Sequence, residues 1–118
     1  MIYDSNPTSK PSKKSQRSTI SNSKPSVPSS FELLSHTIEV DEDHKLEYAD
    51  EYGSCVYHRN QILLTTEDIP DAVRHHTFCH ELVHFLFHYA GRDDLAGDET
   101  LVDVVGGLLA QYEKTKQP

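Results

Sequence analysis

The stretch that decides the fold runs from residue 70 to residue 89 and reads PDAVRHHTFCHELVHFLFHY. Its apolar side chains recur at the spacing of one helix face: Val73, Phe78, Leu82, Phe85, Leu86 and Tyr89. Pro70 suits the first turn of a helix, and Thr66, Glu67 and Asp68 before it offer capping groups. The pattern predicts a helix over about 70–89, with Phe78, Leu82, Phe85, Leu86 and Cys79 packed in the core.

A second helix is predicted from about residue 98 to residue 114, after a polar loop at 91–97. Its apolar residues fall on one face: Leu101, Val105, Leu108 and Tyr112. Gly106 and Gly107 in its middle each cost about 1 kcal/mol of helix stability. We expect this cost to be offset by a close approach of the second helix to the first.

Short alternating segments precede the helices, at residues 37–40, 45–48, 54–57 and 61–65. Such alternation is typical of half-buried strands. We expect an acidic turn at 41–43, and the short connections favour hairpins over crossovers. The predicted fold class is therefore α+β, with a small, mostly antiparallel sheet of three to four strands followed by two packed helices.

Residues 1–30 are rich in Ser, Lys and Pro and have few apolar side chains, which is typical of a disordered tail. The predicted domain covers 31–118. Five basic residues and one acidic residue give the tail a net charge of +4, and subtracting this from the total of −8 leaves −12 for the domain. An acidic domain repels phosphates, which argues against nucleic acid binding. The basic tail could touch an anionic partner, although a solvated linker is the simpler interpretation.

The cellular compartment follows from what the sequence does not contain. No apolar run reaches the roughly 20 residues that span a bilayer, and no apolar signal segment opens the chain. We therefore expect a cytoplasmic protein without a membrane partner. Cys55 and Cys79 fit that compartment as reduced, buried thiols, with a disulfide between them as the less favoured alternative.

The first predicted helix carries the motif His80-Glu81-Leu82-Val83-His84. On a helix, His80 and His84 lie one turn apart, with Cβ atoms about 5–6 Å apart, so both imidazoles can reach one ion. Glu81 lies about 100° around the helix from His80, where it reaches a metal-bound water rather than the metal. These residue types predict a Zn²⁺ site with Glu81 as general base.

A catalytic zinc needs a third protein ligand. His88 lies about 12 Å along the helix from His80, too far to share the ion. The metzincin pattern is excluded because Phe87 and Ala90 occupy the positions of its Gly and third His. Glu99 and Asp103 remain, one turn apart at the start of the second helix. Glu99 can ligate while Asp103 orients a ligand histidine; the alternative is that both are solvated acids at a helix N-terminus.

This arrangement is similar to the gluzincin pattern, in which the downstream Glu ligates zinc and the Asp orients a His. The order of sheet, motif helix and Glu99-x-x-x-Asp103 resembles small phage- or prophage-type metallopeptidases allied to the ImmA/IrrE group. The resemblance covers about 35–113 and rests mainly on 77–103. Val83 replaces the Gly usual in that group, so the resemblance implies the fold and the metal chemistry more closely than the substrate.

The sequence thus predicts a zinc metallopeptidase that acts on a protein or peptide. The alternative is a non-catalytic partner-binding or regulatory module that keeps the zinc site. An immunity or antitoxin-like accessory of a mobile element is a third interpretation, based on family analogy alone. Three further histidines, His75, His76 and His88, are expected to be partly exposed; one of them, or Tyr89, is a candidate to stabilise an oxyanion.

Overall fold

A computed structural model describes residues 27–44 and 52–118. Within these ranges four strands precede three α-helices, and a 3-10 helix (Tyr57–Arg59) lies between the third and fourth strands. The strands are β1 (Ser30–Leu33), β2 (His36–His44), β3 (Gly53–Val56) and β4 (Gln61–Thr65). The helices are α1 (Asp71–Tyr89), α2 (Asp93–Ala96) and α3 (Glu99–Thr115). The α+β class is confirmed, as are the two long helices; α2 is a short addition within the predicted polar loop.

The sheet has the strand order β1-β2-β4-β3. The β1–β2 and β3–β4 pairs are antiparallel, as predicted. The β2–β4 pair is parallel, with Val40 opposite Ile62, so the sheet is mixed. Parallel neighbours arise because β4 lies between β2 and β3, and the chain must therefore pass through the edge strand β3 before it returns to the centre.

Two boundaries of the sheet differ from the prediction. The expected turn at 41–43 is wrong, because β2 continues to His44. Its pairing with β4 extends past these acidic residues, with an irregularity between Asp41 and His44 that absorbs the change in register. Strand β1 was not predicted. The predicted strand at 45–48 lies outside the described residues, and so does the predicted tail except for 27–30.

The core lies between the sheet and α1. Ile38, Ile62 and Leu64 from the sheet pack against α1, whose Phe78, Cys79 and Phe85 are buried there. Phe78 and Phe85 are two helical turns apart and therefore project from the same side of α1. Leu86, also expected in the core, is 40% exposed. Pro70 takes the N-cap position of α1, and no side chain of the described residues caps this helix.

Helix α3 packs through a different face from the one predicted. Its buried residues are Val102 and Gly106, whereas Leu108 and Tyr112 are 62% and 59% exposed. A Cβ atom at Gly106 would lie 2.9 Å from the Cα of His80. The expected close approach of the helices therefore occurs at Gly106, and it turns Leu108 and Tyr112 away from α1.

Neither cysteine forms a disulfide: Cys79 is a buried free thiol and Cys55 a half-buried one. Among residues 27–44 and 52–118, no helix has both the length and the apolar composition needed to cross a membrane.

Candidate metal centre

Three of the predicted site residues meet at the junction of α1 and α3. His80 Nε2 lies 3.2 Å from Glu99 Oε1, and His84 Nε2 lies 3.4 Å from Glu99 Oε2. One ligand atom from each residue can be chosen so that all lie within 4.8 Å of one another. The carboxylate of Glu99 therefore spans the two imidazoles, which are one helical turn apart.

The segment between the helices positions both His84 and Glu99. His84 Nδ1 donates a hydrogen bond to the backbone carbonyl of Ala96, at 2.7 Å, in the last turn of α2. Because a carbonyl only accepts, the proton of neutral His84 is held on Nδ1, and the Nε2 lone pair faces Glu99. Asp98 then caps α3, accepting a hydrogen bond from the Leu101 backbone at 3.1 Å, and places Glu99 in the first turn.

His80 has a carboxylate on each side of its ring. Its Nδ1 lies 3.3 Å from Asp103 Oδ1, one helical turn after Glu99. This is the position from which an acid can hold the tautomer of a ligand histidine. The Asp103 side chain is 65% exposed, as a solvated acid at the start of a helix would be. Its proximity to His80 is what sets it apart from other surface acids.

Glu81 is buried beside the two histidines, at 8% exposure. Burial raises the pKa of its carboxyl group, and the hydrogen bond from Cys55 and the nearby histidines oppose that rise. Cys55 Sγ, on β3, lies 3.1 Å from Glu81 Oε1. Burial, assisted by the charge of Glu81, raises the pKa of the Cys55 thiol, which therefore stays protonated and can donate.

A cleft of about 380 Å³ opens beside this cluster. Strand β3 forms one wall through residues 53–55, and Tyr57 continues it; His80, Glu81, His84 and Glu99 form the other. Gly53 allows β3 to approach α1 closely, because a Cβ atom at this position would lie 2.7 Å from Thr77 Cγ2 and 3.3 Å from Glu81 Cγ, both on α1. Since β3 is an edge strand among residues 27–44 and 52–118, the cleft runs along a side of β3 that pairs with no other described strand.

The remaining histidines of α1 have other contacts. His88 Nδ1 lies 3.1 Å from Asp93 Oδ1, and His76 Nε2 lies 3.9 Å from Asp103 Oδ1. His75 Nε2 lies 3.8 Å from the thiol of Cys79. Within the described part of the chain, the cluster that could hold a metal ion consists of His80, His84 and Glu99 alone. The sequence-based exclusion of His88 agrees with this arrangement.

The donor set suits zinc. Two imidazole nitrogens and a carboxylate oxygen are ligands that Zn²⁺ commonly takes, with metal–ligand bonds of about 2.0–2.2 Å. In a tetrahedral site, such bonds separate neighbouring ligand atoms by about 3.4 Å. The nitrogen–oxygen distances of 3.2 and 3.4 Å around Glu99 are close to that value. These distances involve the two different oxygens of Glu99, and one ligand atom from each residue lies within 4.8 Å of the others, so His80, His84 and Glu99 would hold the ion after a small contraction of the cluster.

Three contacts of the site were not predicted from the sequence. The Ala96 carbonyl is a backbone group and leaves no sequence signal. In the sequence, Cys55 and Tyr57 are only alternate residues after Gly53, a pattern that ordinary core residues share, and the structure ends β3 at Val56, before Tyr57.

No protein-family model matches this chain, and no curated protein or solved structure is similar to it at a level that supports comparison.

Proposed function

We propose that the chain is a zinc-dependent metallopeptidase. The observation that carries this proposal is the convergence of His80, His84 and Glu99 on one point beside the buried Glu81. A site that only stabilised the fold would have no need of a carboxylate next to the ligands in an open cleft. When bound, zinc supplies a Lewis acid that polarises a carbonyl group and lowers the pKa of water to about 7.

Glu81 provides the acid–base chemistry. Its carboxylate accepts one proton from the attacking water and later delivers that proton to the nitrogen of the leaving amine. A carboxyl group whose pKa is raised by burial is suited to both steps, because it holds the proton more firmly than an exposed glutamate does. The Cys55 thiol contacts Oε1 of this carboxylate and limits its rotation.

Strand β3 offers a place for an extended peptide. Thr65 N–H donates to the Tyr52 carbonyl at 2.9 Å. Because alternate residues of an antiparallel pair exchange hydrogen bonds, the backbone groups of Gly53 and Cys55 point away from β4, to the edge of the sheet. A substrate that added to this edge would lie along the cleft, with a peptide bond beside Glu81. We therefore propose a protein or peptide substrate bound in extended form.

The test combines metal binding with hydrolysis. Metal-free protein titrated with Zn²⁺ in a calorimeter is expected to bind one ion per chain. Glu81→Gln should keep that stoichiometry and lose cleavage of a randomised library of fluorescence-quenched peptides. Absence of stoichiometric zinc binding would overturn the proposal.

The same variant separates the proposed enzyme from a non-catalytic zinc module. If the wild-type chain binds zinc but cleaves no peptide of the library, and Glu81→Gln behaves like wild type in every assay, the site has a structural or regulatory role instead.

A further inference from the structure

Tyr57 follows strand β3 directly and lines the cleft beside the candidate metal cluster. Gly53 and Cys55 are alternate residues of β3 and face the same side of the strand, and Tyr57 begins the 3-10 helix that follows β3. Their contacts progress along α1 in the same order: Gly53 lies against Thr77, Cys55 against Glu81, and Tyr57 against Phe85 and His88. Tyr57 is thus the last residue of a row that lines the cleft.

The ring of Tyr57 is held from two sides. It stacks on His88, with ring centroids 4.4 Å apart and planes at 17°, and it meets Phe85 edge to face at 5.2 Å. His88 is in turn fixed by Asp93, 3.1 Å from its Nδ1. These contacts orient the ring in advance, so a hydrogen bond from its hydroxyl would cost little ordering entropy.

The hydroxyl itself is uncommitted. Among the described residues, no group forms a hydrogen bond with the Tyr57 hydroxyl. Burial, followed by the charges of nearby groups that include Glu81, raises the pKa of Tyr57 to about 12. The phenol therefore keeps its proton at neutral pH and is a donor in a cleft whose other charged groups are carboxylates and histidines.

Other candidate donors near the site are occupied. The Tyr89 hydroxyl donates to Asn60, and the His88 nitrogen nearest Asp93 is paired with it. The Cys55 thiol is engaged by Glu81. His76 lines a separate, adjoining groove with Asp103, whose Oδ1 lies 3.9 Å from its Nε2, and it is not among the residues that line the cleft. Ser54 also borders the cleft, but its side chain alternates with those of Gly53 and Cys55 and so projects from the other face of β3. Among the described residues that line the cleft, Tyr57 is therefore the aromatic donor without a partner.

We propose that Tyr57 is a catalytic residue that donates a hydrogen bond to the oxyanion formed when the scissile carbonyl is attacked. This inference rests on the proposed peptidase function. The water oxygen forms a bond to the carbonyl carbon, its proton moves to Glu81, and the carbonyl π electrons move to oxygen. The Tyr57 hydroxyl donates to that oxygen and keeps its own proton. When the carbon–nitrogen bond breaks, the amine takes the proton from Glu81 and the carbonyl re-forms.

The decisive variant is Tyr57→Phe, which removes the hydroxyl and keeps the stacked ring. We expect kcat on the quenched peptide library to fall about 10²- to 10³-fold, the usual effect of losing one oxyanion donor. The KM and the zinc stoichiometry should change little, because the hydroxyl contacts neither the metal ligands nor the ground-state peptide. Tyr89→Phe is the matched control: it removes a hydroxyl from the same aromatic cluster but outside the cleft, and should leave kcat unchanged.

A second readout does not depend on turnover. Cobalt-substituted protein titrated with inorganic phosphate reports, through its visible spectrum, the binding of a tetrahedral anion at the metal. Tyr57→Phe should weaken phosphate about 10-fold, the loss of roughly one hydrogen bond to a charged group; Tyr89→Phe should not.

The outcomes separate the two proposals. If wild type cleaves the library and Tyr57→Phe matches it in kcat and in phosphate affinity, the role of Tyr57 is overturned and the peptidase stands. A wild type that binds zinc but cleaves nothing overturns both.

Discussion

Four of the five histidines of α1 lie at equal spacing, every fourth residue from position 76 to position 88. The inner pair and the outer pair of this row differ in their contacts. The inner pair, His80 and His84, shares the carboxylate of Glu99. The outer pair does not: His76 lies 3.9 Å from Asp103, and His88 is taken up by Asp93 and by stacking on Tyr57. Helical spacing makes a row of imidazoles, but the elements packed against the row decide which of them converge.

Both inner histidines also have an oxygen atom beside Nδ1. The Ala96 carbonyl accepts a hydrogen bond from His84, and Asp103 Oδ1 lies 3.3 Å from His80 Nδ1, so the Nε2 atoms of both rings are directed at Glu99. These supports come from α2 and α3, so the geometry of the candidate metal centre depends on how α3 packs on α1.

Replacing the histidines one at a time should abolish zinc binding only when one of the inner pair is removed. We expect His80→Ala and His84→Ala each to abolish stoichiometric zinc binding, because two remaining ligands hold the ion weakly. His88→Ala should retain one zinc per chain. Calorimetric titration of the three variants checks this. Equal losses in all three would mean that the outer histidine takes part in binding.

Substitutions at Gly106 and Gly107 test whether the packing of α3 on α1 determines which pair of histidines lies against Glu99. A Cβ atom at Gly106 would lie 2.9 Å from the backbone of His80, whereas one at Gly107 would lie 3.6 Å from the side chain of His76. Gly106→Ala should destabilise the fold by about 1–3 kcal/mol through overpacking and weaken zinc binding as Glu99 shifts. Gly107→Ala, the matched control, should be neutral or stabilise by up to about 1 kcal/mol.

Urea unfolding of both glycine variants, with and without zinc, measures these effects. If the two alanine variants had the same free energy of unfolding, the close approach at Gly106 would not position α3.

The smallest expected effect concerns the support of His80. Asp103→Asn should weaken zinc binding about 10- to 100-fold, the usual cost of losing a carboxylate that orients a ligand histidine. Asp94→Asn also removes one negative charge, but its carboxylate pairs with Arg92. Competition with a zinc chelator compares the two affinities. A similar, small decrease in both would assign the effect to net charge alone.

The sequence predicted the parts of this molecule that depend on local periodicity. Helix α1 was placed within a residue or two, and so was α3, because each repeats apolar residues over several turns. The sequence also singled out Glu99 and Asp103, since the distance argument against His88 required a ligand from elsewhere. The structure brings both acids to His80.

What depends on non-local contacts could not be predicted. The parallel pairing of β2 with β4 joins segments separated by all of β3, and no short-range pattern encodes it. The close approach of α3 at its glycines was predicted, but the packing face was predicted wrongly, because it was assigned from the apolar residues and not from Gly106, whose lack of a side chain allows the contact. Tyr57 was overlooked for a similar reason: its position in the cleft depends on how β3 crosses α1.

The strand order has a consequence for the time course of folding. Strands β3 and β4 are joined by residues 57–60 alone, and such hairpins close in about 1–10 μs. The pairing of β4 with β2 closes a longer loop and is expected to follow, since non-local pairing is slower. The contacts of Glu99 with α1 need only the short segment that includes α2. We therefore expect the metal ligands to assemble independently of the β3 wall, so that the last step of folding completes the cleft rather than the metal site.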